Sequence, residues 1–430
     1  MKPVLQVALD LINSSRALQI ANESIQGGAD WIEAGTPLIK SEGLDVLRLL
    51  SNEFPKKILI ADLKTMDTGA LETEIASKAG ANIICIMGAA ADSTIEEAVS
   101  AAKKYGSKIM IDLLGVSDPV KRGKHVSQLG VDYLCVHVGI DQQMTGQKPE
   151  HIVTKLAKHT TIPIAAAGGI NSETVVDVIN AGASIIIVGG AITKAENVTQ
   201  ATKLIKQAMQ DKKRIQSDLF KKYGANEIAS AFKQVSTPNI SDAMHRKGAM
   251  KGIKSIHNSV HMVGKAYTVN TLDGDWAKPV EAIEHAEKNQ VLVINAYQGT
   301  TAVWGELATR SAKQKQLAGV VIDGAVRDIE AIKKIDFPVF CRHMSSNAGE
   351  PKGFGEREAQ IICGGQSVSP GDWIIGDASG VVVVPQKKGQ EIANRALDVK
   401  EHENRIREEI KRGKSLSEVM YLEKWEVQQK

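Results

Sequence analysis

The first half of the chain repeats one pattern of short apolar runs, polar or glycine-rich turns and amphipathic segments. Each apolar run is rich in β-branched residues and predicts a buried strand, whereas segments such as residues 93–105, with apolar residues at intervals of three and four, predict helices. Many of these helices end in a Gly-Ala or Gly-Val step, because glycine tolerates the left-handed conformation of a helix cap. The predicted strands are Val4–Leu9, Trp31–Ala34, Lys57–Ala61, Ile83–Met87, Lys108–Leu113, Tyr133–Val136, Ile164–Ala167 and Ser184–Val188.

These repeated units, eight within residues 1–210, predict a (β/α)8 TIM barrel. Right-handed crossovers force consecutive strands to run parallel, and eight parallel strands can close on themselves. A doubly wound open sheet is the alternative α/β arrangement, but eight near-equal units are more than that fold usually carries. The prediction for this half is therefore an α/β domain with a closed barrel.

The pattern changes after the barrel, and 430 residues exceed what one hydrophobic core usually supports. Residues 211–234 are a charged, helix-prone connector. From Val235 onward, strand-like runs alternate irregularly with helices and loops, which predicts a second α/β domain over residues 235–430. Residues 401–430 within it predict a charged helical tail.

Composition and charge exclude several classes of partner. The chain has 53 basic and 50 acidic residues and a net charge of +3, a balance without the positive field that attracts nucleic acids. No apolar run reaches the roughly 18 residues that span a bilayer. The four cysteines lie far apart, which favours buried, reduced thiols over a zinc site. We therefore expect a cytoplasmic protein with neither a nucleic-acid nor a membrane partner.

Polar side chains or paired glycines end almost every predicted barrel strand. Active sites of TIM barrels form at the carboxyl ends of the strands, and phosphate binds at the loops after strands seven and eight. Glycines at those loops let backbone N–H groups approach phosphate oxygens. The candidate catalytic and metal-binding residues are Asp10, Glu33, Asp62, Lys64, Asp112 and His137, and the candidate phosphate-binding residues are Gly168, Gly169, Gly189 and Gly190.

The chemistry of these side chains assigns roles to them. Glu33 and Asp62 are two carboxylates on neighbouring strands, suited to Mg²⁺ or Mn²⁺. Asp62, Lys64 and Asp67 form a D-x-K-x-x-D run that places a cation among carboxylates, where it can stabilise a developing oxyanion. His137 has a side chain suited to proton transfer near neutral pH. Together these groups favour chemistry through an enediolate.

Residues 1–210 resemble the 3-hexulose-6-phosphate synthases of the orotidine-monophosphate-decarboxylase superfamily in the segments LQVALD, GADWIEAGTPLIKSEG, ADLKTMDTG, HVGIDQQMTG, AAAGGI and IVGGAIT. The resemblance implies a reversible aldol condensation of ribulose 5-phosphate with formaldehyde, with the physiological direction open. It also implies Mg²⁺ ligation by Glu33 and Asp62, enediolate stabilisation by Lys64 and acid–base catalysis by His137. Asp67 would reach across the interface of a barrel dimer.

The alternative for the barrel is 3-keto-gulonate-6-phosphate decarboxylase, a relative with the same metal site. That family carries an arginine just beyond its histidine. In this chain, residues 138–143 follow His137 without an arginine. This difference favours the synthase.

The second domain has its own candidate site. Asp323-Gly324 follows a predicted strand, Gly319–Ile322, and Arg327 and Asp328 come next. Upstream, a predicted helix start could hold a carboxylate on its unpaired N–H groups. Arg327 could clasp the same anion, and Asp328 could hold a metal through water. The anion-binding residues of this prediction are Gly305, Glu306, Leu307 and Arg327.

With the segments STPNISDAM, FPVF, SPGD and SGVVVVP, this domain resembles the RraA / 4-hydroxy-4-methyl-2-oxoglutarate aldolase family. The family includes metal-dependent aldolases and decarboxylases that stabilise a pyruvate enolate, and ribonuclease regulators that act by protein contact. Asn295 stands where many members have Asp, and the Asp377–Gly380 stretch lacks a usual acid. A keto-acid enzyme and a non-catalytic interaction module therefore both remain open. The resemblances imply a homo-oligomer, with a barrel dimer and a trimeric second domain.

Overall fold

A computed structural model describes residues 2–217, 219–420 and 422 of the chain. The chain divides into two compact units, one made of Met1–Lys222 with Glu401–Lys430 and the other of Tyr223–Lys400. Within the described residues, no helix has the length and apolar character needed to cross a membrane. All four cysteines are buried and free, as predicted.

The first unit is a closed barrel of eight parallel strands in chain order, with β8 paired to β1. This confirms the TIM barrel and excludes the open sheet. Apolar side chains, Ile60, Met110 and Cys135 among them, fill most of the barrel interior, and Gln6 is a polar residue buried among them. The strands are β1 Val4–Leu9, β2 Trp31–Ala34, β3 Ile58–Thr65, β4 Ile83–Met87, β5 Lys108–Asp112, β6 Tyr133–His137, β7 Ile164–Ala167 and β8 Ile185–Val188.

Helices surround the barrel and bury their apolar faces against the outside of the sheet. Helix α5 shows the rule: its buried residues Ile95, Ala98, Val99 and Ala102 follow the predicted spacing of three and four, and the left-handed Gly106 ends it. The helices are α1 Ser14–Gln26, α2 Thr36–Glu42, α3 Asp45–Glu53, α4 Gly69–Lys78, α5 Asp92–Tyr105, α6 Pro119–Val126, α7 Ile140–Met144, α8 Glu150–Leu156, α9 Val175–Asn180, α10 Gly190–Thr193 and α11 Val198–Asp211.

The connector is less helical than predicted. Residues 213–217 have no helix, because their backbone bonds to the loop after β7 instead. The Ile215 N–H donates to the Ser172 carbonyl at 3.1 Å, the Ser172 hydroxyl donates to the Ile215 carbonyl at 2.8 Å, and the Ser217 N–H donates to Glu173 at 2.8 Å. Among the described connector residues after Asp211, helix is found only towards the end, as a 3-10 turn at Ala225–Glu227 and as α12 Ile228–Phe232.

The tail also differs from the prediction, which placed it in the second domain. Helix α17 spans Gly389–Lys411 and is followed by α18 Leu416–Met420, and the chain from Glu401 on belongs to the barrel unit. Arg405 and Glu409 pair at 2.7 Å with side chains only 1% exposed. Two charges of the tail are therefore buried against the barrel unit, which a solvated charged tail would not require.

The second unit is an α/β domain around one mixed sheet. Its strand order is β19-β18-β10-β11-β13-β14-β9, with parallel central strands and antiparallel pairs at the edges. The strands are β9 Lys254–Ser255, β10 Met262–Asn270, β11 Gln290–Asn295, β12 Ala302–Trp304, β13 Gly319–Val326, β14 Val339–Met344, β15 Glu356–Arg357, β16 Ile361–Cys363, β17 Gln366–Val368, β18 Trp373–Asp377 and β19 Gly380–Val384. Besides α12 and the start of α17, its helices are α13 Thr237–Ala243, α14 Ala277–His285, α15 Glu306–Gln314 and α16 Ile329–Ile332.

Strand β13 is longer than predicted and contains Asp323-Gly324, which we expected to follow the strand. Asp323 is 2% exposed. Its carboxylate accepts hydrogen bonds from Arg342 Nε and from the Gly364 N–H, the latter at 2.7 Å. These partners stabilise a buried charge, so Asp323 is a structural residue and the chain leaves the strand only at Arg327.

Candidate active site

Three side chains from three strands meet through Asp112 at the carboxyl end of the barrel. Lys64 Nζ lies 2.9 Å from Asp112 Oδ2, and His137 Nδ1 lies 2.9 Å from the same oxygen. Lys64 Nζ is also 3.0 Å from Asp62 Oδ2. The structure thus brings together four of the predicted residues, and one carboxylate holds both the cation and the imidazole.

The charges of this group follow from its contacts. Burial alone would raise the pKa of Asp112, but the hydrogen bond from His137 and the charges of His137 and Lys64 outweigh burial and lower that pKa to about 2. Burial would likewise lower the pKa of Lys64, but the charges of Asp112 and Asp62 raise it above its ordinary value. At neutral pH, Asp112 is therefore an acceptor only, and Nδ1 of His137 must carry a proton. In the neutral imidazole, the lone pair is then on Nε2.

A bulge in β3 directs two of these side chains. The pairing of β3 with β4 shifts between Ala61 and Thr65, so that Asp62 and Lys64 lie in an irregular part of the strand. Lys64 adopts a left-handed φ of 51°, which is uncommon for a residue with a side chain. The Thr36 hydroxyl donates to both the carbonyl and Oδ2 of Asp62, at 2.8 and 2.9 Å. Bulges of this kind re-aim side chains beside active sites.

Glu33 and Asp10 crowd the other side of Asp62. Glu33 is 6% exposed, and burial, together with the charges of Asp62 and Asp10, raises its pKa well above the ordinary value. Asp10 lies at the rim and remains open to solvent, but crowding by barrel atoms, together with the charge of Asp62, raises its pKa as well. Ionisation of Glu33 and Asp10 is therefore costly beside the charge of Asp62, and a divalent cation would lower this cost.

The residues around Glu33 fit such a cation. Gln6 Nε2 donates to Glu33 Oε2 at 2.5 Å, whereas Gln6 Oε1 is buried without a hydrogen-bond partner. Carboxylate and amide oxygens are ligands for Mg²⁺, which also keeps several waters. No group of three or more His, Cys, Asp or Glu residues in the described part of the chain is arranged to hold a metal. A metal here would therefore depend on Glu33 and Asp62 with water or substrate.

The glycines predicted to bind phosphate lie in turns at the same end of the barrel. Gly168 and Gly169 have left-handed φ values of 107° and 70°. A Cβ at Gly168 would lie 2.3 Å from the Val138 carbonyl oxygen, so no other residue fits this turn. A Cβ at Gly189 would lie 3.3 Å from Asp10 Oδ2, which places the turn after β8 next to the carboxylates.

Asp67 lies apart from these groups. It is exposed on the turn between β3 and α4, beside Met66 and near Leu71, which are 51% and 58% exposed. Its role across a dimer interface remains a prediction.

Gln6 and Thr36 also belong to this site, although neither was predicted from the sequence. Gln6 was visible as a polar residue inside an apolar strand, where an unpaired amide would be costly. Thr36 had no such signal, because only the fold brings it to Asp62.

The second candidate site is an open depression of about 630 Å³ lined by Glu306, Leu307 and Asp328. The Glu306 N–H at the start of α15 donates to Asp328 Oδ2 at 3.1 Å, and Arg327 Nε lies 3.6 Å from the same oxygen. Asp328 has a left-handed φ of 61°. The predicted residues therefore do meet, but the Glu306 N–H that we expected to bind a ligand carboxylate binds Asp328.

Asn295, which replaces the Asp of many members, and Asp377, which begins the stretch that lacks a usual acid, both make structural contacts. Asn295 is 8% exposed, and its amide donates to Asn270 Oδ1 at 2.9 Å. Asp377 accepts the backbone N–H and the hydroxyl of Thr237, both at 2.7 Å. Neither Asn295 nor Asp377 lines the depression beside Asp328.

Comparisons with known proteins match both halves. Residues 3–205 match the family described as Orotidine 5'-phosphate decarboxylase / HUMPS family, and residues 237–383 match the RraA-like family, described as Aldolase/RraA. The first half is 40% identical over 204 residues to 3-hexulose-6-phosphate synthase of Bacillus subtilis (strain 168), a match that covers 47% of this chain and 97% of the relative. Both resemblances stated from the sequence are thereby confirmed.

Two further relatives show the range of the matches. The synthase of Mycobacterium gastri is 38% identical over 205 residues, which cover 48% of this chain and 99% of the relative. A solved structure of 3-keto-L-gulonate-6-phosphate decarboxylase from Vibrio cholerae O1 biovar El Tor is 26% identical, covers 49% of this chain and 99% of its own, and has a TM-score of 0.44.

Proposed function

Since the chain belongs to the orotidine 5'-phosphate decarboxylase / HUMPS family through residues 3–205, we propose that its barrel is an aldehyde-lyase that condenses ribulose 5-phosphate with formaldehyde, reversibly, to 3-hexulose 6-phosphate. The observation that carries the proposal is the pairing of Lys64 and His137 on one carboxylate, Asp112. A fixed cation beside an oriented imidazole suits formation of an enediolate. The relatives that are 40% and 38% identical to the barrel both bear the synthase name.

The proposed chemistry starts with a proton transfer. Nε2 of His137 removes a proton from C1 of ribulose 5-phosphate, and the electron pair moves into the C1–C2 bond to give an enediolate. Lys64 stabilises the negative charge on the enediolate oxygen. C1 then attacks the carbon of formaldehyde, and the protonated imidazole returns its proton to the new alkoxide. The ketone is restored in the product.

A divalent cation fits this scheme. Glu33 and Asp62 would hold Mg²⁺ or Mn²⁺, and the ion would supply Lewis-acid charge near the enediolate oxygens. Asp10 and Asp112 complete the polar wall, with Asp112 as the group that orients His137 rather than as a base, because its pKa is too low for that role at neutral pH.

We expect the purified full chain to form 3-hexulose 6-phosphate from ribulose 5-phosphate and formaldehyde with Mg²⁺, and to lose this activity in EDTA. Disappearance of formaldehyde and appearance of the hexulose phosphate measure it directly. The matched assay is release of CO₂ from 3-keto-gulonate 6-phosphate under the same conditions. Decarboxylation without condensation would make the decarboxylase the correct function.

For the second domain we propose a metal-dependent aldolase or decarboxylase that acts on a small keto acid. The side chains of Arg327 and Asp328 are 46% and 42% exposed, and Asp328 lines the depression, so both are accessible to a small anion. Arg327 would bind the ligand carboxylate bidentately, and Asp328 would hold a metal through water. The competing function is protein contact, which the exposed side chains Leu307 (76%) and Met344 (59%) favour.

Arg327→Ala in the full chain is expected to reduce Mg²⁺-dependent decarboxylation of oxaloacetate by on the order of 10²-fold, because the substrate carboxylate loses its charged partner. Lys333→Ala, which removes an exposed cation that directly follows α16 and pairs with Glu330, is the control and should leave this rate unchanged. The barrel assay should be unaffected by either change. If the unaltered chain neither binds pyruvate nor decarboxylates oxaloacetate, the interaction function stands in place of the enzyme.

A further inference from the structure

The start of the connector lies across the loops that follow β7 and β8. Its backbone bonds to Ser172 through Ile215, and Asn171 Nδ2 donates to the Leu219 carbonyl at 3.3 Å. Both partner residues belong to the loop that begins at Gly168-Gly169. This segment, residues 213–222 apart from Asp218, therefore borders the turns predicted to bind phosphate.

Phe220 packs directly on the second of these turns. A Cβ placed on Gly190 would lie 2.3 Å from Cε2 of the Phe220 ring, so the ring rests against the backbone of Gly190. The Phe220 N–H donates to Glu401 Oε1 at 2.6 Å. Phe220 is partly buried against the core of the barrel unit. The ring is thus held at Gly190 by packing and by a charge-assisted hydrogen bond.

Two ammonium groups lie over this ring. Lys222 Nζ is 4.2 Å and Lys194 Nζ is 5.6 Å from the ring centroid. Aromatic rings attract cations within about 6 Å of the centroid. The charge of Lys194 also reaches Asp10, whose pKa it lowers against the larger effect of burial. One aromatic ring therefore gathers two positive charges beside Gly190.

Two members of this arrangement, Phe220 and Lys222, lie beyond the part of the chain that matches the family. The family match ends at residue 205, and the matched relatives are covered over 97% and 99% of their lengths by 204 and 205 residues. Phe220 and Lys222 belong to the following segment, which continues towards the second unit. The family match therefore does not include them.

We propose that Phe220 is a positioning residue that holds Lys222 and Lys194 at the turn Gly189-Gly190, so that the connector supplies part of the site for the phosphate of the sugar phosphate substrate. The proposal rests on the proposed function of the barrel. A phosphate monoester carries nearly two negative charges at neutral pH. The charge of a neighbouring ammonium group stabilises the bound phosphate whether or not that group also contacts other residues.

Steady-state kinetics of the full chain test the proposal. Lys222→Ala is expected to raise the KM for ribulose 5-phosphate about two- to fivefold, the range of a partly exposed ion pair. Phe220→Ala should raise it about five- to tenfold, because both cations lose their platform. The KM for formaldehyde and kcat should change less than about twofold, because neither residue touches the reacting atoms. Inhibition by inorganic phosphate should weaken by the same factors as the KM rises.

Lys104→Ala is the matched control. Lys104 Nζ lies 5.2 Å from the Tyr105 ring centroid at the opposite end of the barrel, at the end of α5 before β5. Its loss should leave every constant unchanged. An active unaltered chain whose Lys222→Ala variant keeps the KM and the inhibition by phosphate would overturn the inference and leave the synthase function intact. If the unaltered chain makes no product, the proposed function fails. In that case, equal binding of inorganic phosphate by the unaltered chain and by the Lys222→Ala variant would overturn the inference as well.

Discussion

Glu33→Gln is expected to lower synthase activity by on the order of 10³-fold or more and to abolish its dependence on Mg²⁺. Glu33 is a buried carboxylate whose pKa is raised by burial and by Asp62 and Asp10, and a cation is the partner that would compensate three such charges. The neutral amide keeps the shape and the contact with Gln6 but removes the charge. Asp62→Asn should lower activity at least as far, because it also removes a carboxylate from Lys64.

Activity titrated with Mg²⁺ and calorimetric binding of Mg²⁺ measure the two effects separately. Asp45→Asn, an exposed carboxylate on α3 that pairs with Arg48, is the control and should behave as the unaltered chain. Glu33→Gln should lose Mg²⁺ binding, whereas a Lys64→Met variant should keep it and lose only turnover. Full rates in both carboxylate variants, with no effect of EDTA, would remove the metal from the mechanism.

His137→Ala is expected to reduce kcat by on the order of 10²–10⁴-fold with little change in the binding of ribulose 5-phosphate. Asp112 accepts the Nδ1–H at 2.9 Å, which leaves Nε2 as the basic nitrogen. Exchange of the C1 hydrogen with solvent, followed without formaldehyde, should decrease in parallel. This exchange reports the proton transfer alone.

Asp112→Asn separates orientation from proton transfer. The amide keeps the shape of the side chain, but it removes the negative charge that holds both the imidazole and Lys64. We expect kcat to decrease, and we expect exchange of the C1 hydrogen with solvent to be slower but still measurable. C1 exchange that is unchanged in His137→Ala would assign the proton transfer to another residue. Asp112 is a weak candidate for it, because a carboxylate with a pKa near 2 is a poor base at neutral pH.

Several features of the fold could be derived from the sequence because they depend on neighbours along the chain. Strands such as Val4–Leu9 and Ile164–Ala167 have the predicted bounds, since short runs of buried apolar residues and glycine stops are local signals. The order of strand ends then placed Asp62, Lys64, Asp112 and His137 at one end of the barrel, because consecutive parallel strands end at the same rim. The candidate site was therefore predictable as a set of residues.

The contacts within that set depended on the tertiary structure. The bulge in β3, the contact of Thr36 with Asp62 and the shared carboxylate of Asp112 join residues from different strands, and no local pattern encodes such distances. The same reason explains the burial of Asp323 inside β13, since its partner Arg342 lies on the next strand.

The two segments that lie outside the repeated pattern show most clearly the difference between what local sequence signals predict and what tertiary contacts decide. By composition, the connector and the residues from Glu401 on are charged surface helices. In the structure, Phe220 packs on Gly190 and Arg405 is buried with Glu409, both within the barrel unit. Charge and periodicity report whether a segment can be helical and solvated. They do not report which distant backbone or side chain will stabilise it, because that free energy comes from contacts that exist only in the folded chain.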